Sequence, residues 1–232
     1  MATEQLTEQA TEQATEQATG QSTGKTGPKP KIDAVAFDIG GVLLDWDPRY
    51  VYRTLFDDPG DMEEFLARVC TSDWHRAHDL GADIRRSCER LARRYPEHRD
   101  MIMVWAERGE QMVAGQFDGT VAILGELKAA GMPCYALSNM EPDAFRVRRT
   151  RFAFMDWFDD HVISGFEGVA KPDPRIFRIL LDRHGLRPQA CVFIDDQPRN
   201  VAAARDLGLI ALQFTSPAQL RTDLRDAGLA VA

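Results

Sequence analysis

Val35-Ala36-Phe37-Asp38-Ile39-Gly40-Gly41-Val42-Leu43 is the stretch around which the rest of the chain is organised. A short apolar, β-prone run ends in an aspartate, and two glycines follow almost at once. A buried parallel strand delivers a carboxylate to the carboxyl edge of its sheet in this way. The glycines then let the backbone turn tightly and approach a ligand. Open α/β sheets bind ligands at that edge. Asp38 is therefore the first candidate for a nucleophile or a metal ligand. Alone, the pattern equally describes an aspartate that ends a strand and caps a turn.

Three later stretches change that balance. Tyr135-Ala136-Leu137-Ser138-Asn139 is a second apolar strand ending in a hydroxyl. Gly168-Val169-Ala170-Lys171-Pro172-Asp173-Pro174 is a loop with one lysine, followed by a helix start. Cys191-Val192-Phe193-Ile194-Asp195-Asp196 is a third strand ending in paired carboxylates. Asp, Ser, Lys and Asp-Asp in this order, three of them at strand ends, resemble the haloacid dehalogenase-like hydrolase superfamily over about residues 32 to 215. Each motif is weak alone, and the ordered set is strong.

The 232 residues allow one large domain, or a core with a smaller insert. Hydrophobic content of 44% can bury a sizeable core. A net charge of −8 disfavours a nucleic-acid partner. The four cysteines are far apart, and Cys134 and Cys191 fall inside expected strands as small core residues. That usage fits a reducing cytoplasm. No apolar run is long enough to span a membrane, and no signal peptide is visible.

Residues 1–30 are different material. Thr-Glu-Gln recurs from positions 3, 7, 11 and 15, and Gly, Ser, Thr, Lys and Pro then take over. So little apolar surface cannot offset the entropy of ordering, which predicts a disordered tail. Gly24-Lys25-Thr26 has the end of a phosphate-binding P-loop, but Thr19 stands where that loop needs its first glycine and no strand precedes it. From residue 31 the pattern alternates strands and helices, which predicts a doubly wound parallel α/β sheet, Rossmann-like, with helices on both faces. Strands are expected at 33–38, 133–138, 161–164, 191–195 and 209–214. Helices are expected near 119–130, 174–184, 199–207 and 217–227, with helical turns from 138 to about 157. Residues 48–115 read as helical throughout. Met62, Phe65, Leu66 and Val69 recur at helical spacing, as do Ile84, Cys88, Leu91 and Tyr95, and Ile102, Trp105, Met112 and Val113 are read as a further helix. The resemblance makes 48–115 an α-helical cap inserted into a core of 31–47 and 116–232.

The resemblance also supplies roles. An ionised Asp38 would attack phosphorus and form an aspartyl-phosphate, which water hydrolyses. Two anions must meet, so Mg²⁺ is the implied cofactor, held by Asp38, the Gly40 carbonyl and Asp195 or Asp196. Paired acids at one strand end repel each other without a cation. Lys171 would hold phosphate and nucleophile together, and Ser138 would donate to a phosphoryl oxygen, with Asn139 beside it. The implied partner is a small phosphorylated substrate.

One position departs from the pattern. Most phosphatases of this superfamily carry a second aspartate two residues after the nucleophile, and here that residue is Gly40. The usual general acid–base, typically contributing about 10²–10⁴-fold, is missing. A leaving group that needs little protonation, such as a sugar 1-phosphate, would tolerate this. The Asp-Xaa-Gly-Xaa-Val form is similar to a bacterial alpha-glucose-1-phosphate phosphatase subgroup, and the downstream helical insert to the phosphatase half of soluble epoxide hydrolases. Two alternatives stand beside the phosphatase: a metal-free L-2-haloacid dehalogenase using Asp38, and a non-catalytic binding or regulatory relative. Gly40 and Asp195-Asp196 count against the first, and retention of Asp38, Ser138 and Lys171 against the second.

The insert contributes Asp73-Trp74-His75-Arg76-Ala77-His78-Asp79. Trp74, His75 and His78 are the candidate substrate contacts, and a histidine is the candidate replacement for the missing acid. A zinc pair is the competing reading of His75 and His78, without further ligands in view. Trp46 and Asp47 are expected at the hinge of the insert, and Arg148, Arg149 and Arg151 on a solvated helix face.

Overall fold

The computed structural model describes residues 31–232, so the expected tail, including Gly24-Lys25-Thr26, lies outside the described residues. Strands β1 (Ala34–Phe37), β4 (Cys134–Ser138), β5 (Asp160–Ile163), β6 (Cys191–Asp195) and β7 (Ile210–Gln213) form one sheet in the order β5-β4-β1-β6-β7. Every neighbouring pair is parallel. β1 is central, and the sheet order reverses on either side of it. That is the topological switch point at which open α/β sheets bind ligands.

Parallel strands covered on both faces read as unbroken apolar runs. All four residues of β1 and all five of β4 and of β6 are buried. Alternation along each strand then divides the core into two. Val35, Phe37, Ala136, Val192 and Ile194 face one way, against Ile123, Leu124 and Leu127 of the Asp118–Ala129 helix and Leu220 and Leu224 of the Pro217–Asp226 helix. Ala34, Ala36, Leu137 and Phe193 face the other, against Ile176, Phe177 and Leu180 of the Pro174–His184 helix and Val201 and Ala204 of the Pro198–Asp206 helix.

Residues 49–108 contain helices at Arg49–Tyr52, Pro59–Arg68, Ser72–Asp79, Ile84–Arg94 and Arg99–Arg108. They enclose a third core, which includes Tyr52, Phe65, Leu66, Cys88, Leu91, Ile102 and Trp105. The expected last helix of this segment does not extend through Met112 and Val113. Gly109–Met112 is a 3₁₀ turn, and Val113 opens a strand. That strand, β3 (Val113–Gln116), pairs antiparallel with β2 (Leu44–Trp46), which sequence periodicity also did not indicate. The ribbon ties together the two points where the chain leaves and re-enters the sheet layer. Trp46 packs against both the sheet core and the helical core. Among the described residues no helix is long and apolar enough to cross a membrane.

Candidate active site

Three side chains arrive at the carboxyl edge of adjacent strands because of register. Phe37 pairs with Ala136 on β4 and with Ile194 on β6. Asp195, the residue after Ile194, and Ser138, two residues beyond Ala136, therefore stand beside Asp38, whose own N–H donates to the Ile194 carbonyl at 2.8 Å. Ser138 Oγ donates to Asp38 Oδ1 at 2.7 Å, and the Ile39 N–H donates to the same oxygen at 2.7 Å. The serine thus uses its one O–H proton to hold the carboxylate, where the sequence suggests a phosphoryl oxygen as its acceptor.

Lys171 comes from the loop before the Pro174–His184 helix and is 1% exposed. Its Nζ lies 2.9 Å from Asp38 Oδ2 and 2.7 Å from Asp195 Oδ2. Asn139 fixes the lysine's backbone: its Nδ2 donates to the Lys171 carbonyl at 2.9 Å, and its Oδ1 accepts from the Lys171 N–H at 2.8 Å. Asn139 therefore uses its amide to position Lys171, where the sequence suggests substrate binding. Asn200 donates to both oxygens of Asp195, at 3.0 and 3.1 Å, and the Gln197 N–H donates to Oδ1 at 2.8 Å. Buried charges persist only when paired and hydrogen-bonded in this way.

Asp38, Asp195 and Asp196 each offer a carboxylate oxygen, all within 4.8 Å of one another. Lys171 is the cation paired with two of them. Burial opposes its charge, but Asp195 and Asp38 outweigh that and hold its pKa above the usual range. Burial pushes Asp38 up to about 7, against the pull of Lys171 and with the repulsion of Asp195. Burial and then Asp195 also raise Asp196. Three crowded hard-oxygen donors with one ammonium leave the site short of positive charge, and that donor set fits Mg²⁺. Gly41, with φ +76°, keeps its backbone against this trio, since a Cβ there would lie 2.8 Å from the Asp196 carboxyl. Gly40 has no heavy atom within 4 Å of where its Cβ would be.

A cavity of about 750 Å³ opens over this edge. Asp38, Gly40, Lys171 and Asp196 lie on its sheet side, and Trp46, His75, His78, Asp79 and Trp105 come from the ribbon and the helical segment. Trp74 is not in the cavity wall. It packs edge-on against His78 at 4.5 Å and against Trp105 at 5.3 Å. His75 stacks on Trp46 at 5.2 Å. Burial first, then His78 and Arg148, push His75 down to about 3, and burial and Arg90 push His78 down to about 4. Both values lie below neutrality, and the rings sit in an aromatic cluster with Trp46 and Trp74. The zinc reading gains no ligand: among the described residues, the aspartate trio is the cluster with metal-holding spacing.

Arg149 and Arg151 lie on an outer face, Arg149 paired with Asp156 at 2.6 Å and Arg151 bonded to the Glu110 and Val113 carbonyls. Arg148 is a correction to the solvated-face reading. Its side chain is 11% exposed, lines the cavity and pairs with Glu110 at 3.2 Å. Asp47 starts the first helix of the segment by accepting from the Arg49 N–H at 2.8 Å. Sequence reasoning gives Asp79 no role of its own, and its position on the cavity wall follows from tertiary packing that no local pattern encodes.

The model of the haloacid dehalogenase-like hydrolase family matches residues 32–208. A sesquiterpene phosphatase of Aspergillus oryzae is 26% identical over 200 residues, covering 83% of this chain and 94% of that protein. A flavin mononucleotide hydrolase of Arabidopsis thaliana is 30% identical over 115 residues, 50% of this chain and 46% of that one. Among solved structures, a haloacid dehalogenase family enzyme of Bacteroides thetaiotaomicron superposes with a TM-score of 0.64 at 19% identity, over 81% of this chain and 95% of that chain.

Proposed function

The chain belongs to the haloacid dehalogenase-like hydrolase family, and on that premise we propose that it is a Mg²⁺-dependent phosphatase of small phosphate monoesters, acting through an aspartyl-phosphate on Asp38. The observation that carries this reading is the buried Lys171, which bridges Asp38 and Asp195 at the ends of neighbouring strands. A binding protein has no need to bury an ammonium against an aspartate that already has two other donors. In the proposed reaction Asp38 attacks phosphorus, and Lys171 stays protonated and holds negative charge close to it. Ser138 and the Ile39 N–H orient the attacking carboxylate. Asp38, Asp195 and Asp196 would hold Mg²⁺, which when bound supplies the positive charge the trio lacks. The helices of residues 49–108 would act as a cap that closes over the edge and selects the substrate.

The names of the relatives support the reaction more firmly than any substrate. One is named a sesquiterpene phosphatase and one a flavin mononucleotide hydrolase. A carboxylate trio counts against a metal-free dehalogenase. The four cysteines are free and buried, which is in keeping with a reducing cytoplasm.

A panel of phosphate monoesters assayed with Mg²⁺ and with EDTA, beside L-2-chloropropionate, tests the proposal. Phosphate release is expected only with Mg²⁺, and Asp38→Asn should lower it by roughly 10³-fold or more while the protein stays folded. Chloride release without metal would replace this reading with the dehalogenase.

A further inference from the structure

The family's usual proton donor is absent at Gly40, and the two cap histidines are held neutral. Asp79 is the last residue of the Ser72–Asp79 helix and stands on the wall of the cavity that also contains Asp38 and Lys171. Its side chain is 16% exposed, and its contact with His75 Nε2, at 3.8 Å, is too long for a hydrogen bond. The end of this helix is clamped to the sheet layer. Ser164 Oγ donates to the Asp79 carbonyl and accepts from the Met140 N–H at 2.9 Å, two residues beyond Ser138. The clamp is close on both sides. A Cβ on Gly81 would lie 2.9 Å from the Gly165 carbonyl oxygen, and one on Gly165 would lie 2.8 Å from the Met140 carbonyl oxygen. Asp79 is thus fixed relative to Asp38 through the strand end that carries Ser138, and not through a long flexible connection.

We infer that Asp79, reaching in from the helical segment, is the proton donor and acceptor that replaces the carboxylate missing at Gly40. The inference rests on the phosphatase reading above. As Asp38 forms its bond to phosphorus and the ester P–O bond breaks, the Asp79 carboxyl gives its proton to the leaving oxygen, which departs as an alcohol. Asp79, now ionised, takes a proton from the water that attacks the aspartyl-phosphate. That step releases phosphate, regenerates Asp38 and returns the proton to Asp79. Burial pushes Asp79 up to about 6, against the pull of Lys171, Arg148, Arg76 and Arg199, so a proton is available to it near neutral pH. His75 is neutral beside it and adds no opposing charge.

Asp79→Asn keeps the size and the backbone anchor while removing the exchangeable proton. Wild type and variant are to be compared on 4-nitrophenyl phosphate, whose leaving group needs no proton, and on a simple alkyl phosphate, whose leaving group does. The alkyl rate should fall by about 10²–10⁴-fold and the aryl rate by less than about tenfold, with KM little changed. Adding Gly40→Asp, where the side chain has room, should recover part of the alkyl rate. Equal slowing of both esters would assign Asp79 a structural role and overturn the inference alone. A wild type inert towards both esters with Mg²⁺ would overturn the phosphatase reading and the inference with it. If Asp79→Asn fails to fold, the wild-type ratio of alkyl to aryl kcat/KM decides, because ionisations common to both esters cancel. It should fall as pH rises through about 6, and a ratio flat with pH would refute the role.

Discussion

Gly41 is where residue chemistry is tightest. Its φ of +76° is one that a side chain adopts at a cost of roughly 1–2 kcal/mol, and its missing Cβ leaves room for the Asp196 carboxyl. Gly41→Ala should therefore act on metal use before it acts on the fold. The new methyl would displace Asp196 from the trio, and the Mg²⁺ concentration at half-maximal activity should rise by about 10-fold or more. A Mg²⁺ titration that superposes on wild type would show that Asp196 plays no part in holding the ion. The chain makes this position readable, since two glycines after a strand-ending aspartate point to a close backbone approach. Lys171 is readable only as one of an ordered set, because a loop lysine carries no local sign that it will be buried between two carboxylates.

At the scale of elements, legibility follows length and burial. β4, β6 and the Pro174–His184 helix have strong local signals: fully buried strands that end in a single polar residue, Asp173 accepting from the Arg175 N–H at the helix start, and Gly185 at φ +61° at its end. β2 and β3 have three and four residues and are only partly buried, so pairing defines them and periodicity does not. The same limit hides Asp79. Its helix is eight residues long, and what matters is where its last turn lands on the sheet layer. Gly81 makes that landing possible. Its φ of +88° and the Gly165 carbonyl both oppose a side chain. Gly81→Ala should lower the melting temperature by several degrees, the equivalent of about 1–2 kcal/mol. It should also slow turnover by pushing the helix end away from the strand edges. Wild-type stability and kinetics in this variant would mean that the junction is looser than its geometry indicates.

For the molecule as a whole, buried titratable groups make stability depend on pH in two opposing directions. Asp38 and Asp79 have folded pKa values raised to about 7 and about 6, so their contributions are present at low pH and are lost as pH rises through those values. His78 acts the other way. It is 1% exposed, its Nε2 has no hydrogen-bond partner among the described residues, and burial followed by Arg90 lowers its pKa to about 4. The stability that comes from keeping this ring neutral is fully present above its unfolded value of about 6.5 and is lost as pH falls towards 4. The wild-type curve sums these groups with others such as His75, so the His78 term is isolated by comparison with His78→Gln, which cannot titrate there. At pH 7.5 the variant should be less stable, because its side chain fits the Trp74 and Trp105 cluster less well. As pH falls from 6.5 to 4 the gap should close by on the order of 3 kcal/mol, since only the wild type has the His78 ring to charge. Melting temperatures measured across that range decide it. A gap that stays constant would mean that His78 takes up its proton equally readily in the folded and unfolded chain, and the acid response of the helical layer would then belong to other groups.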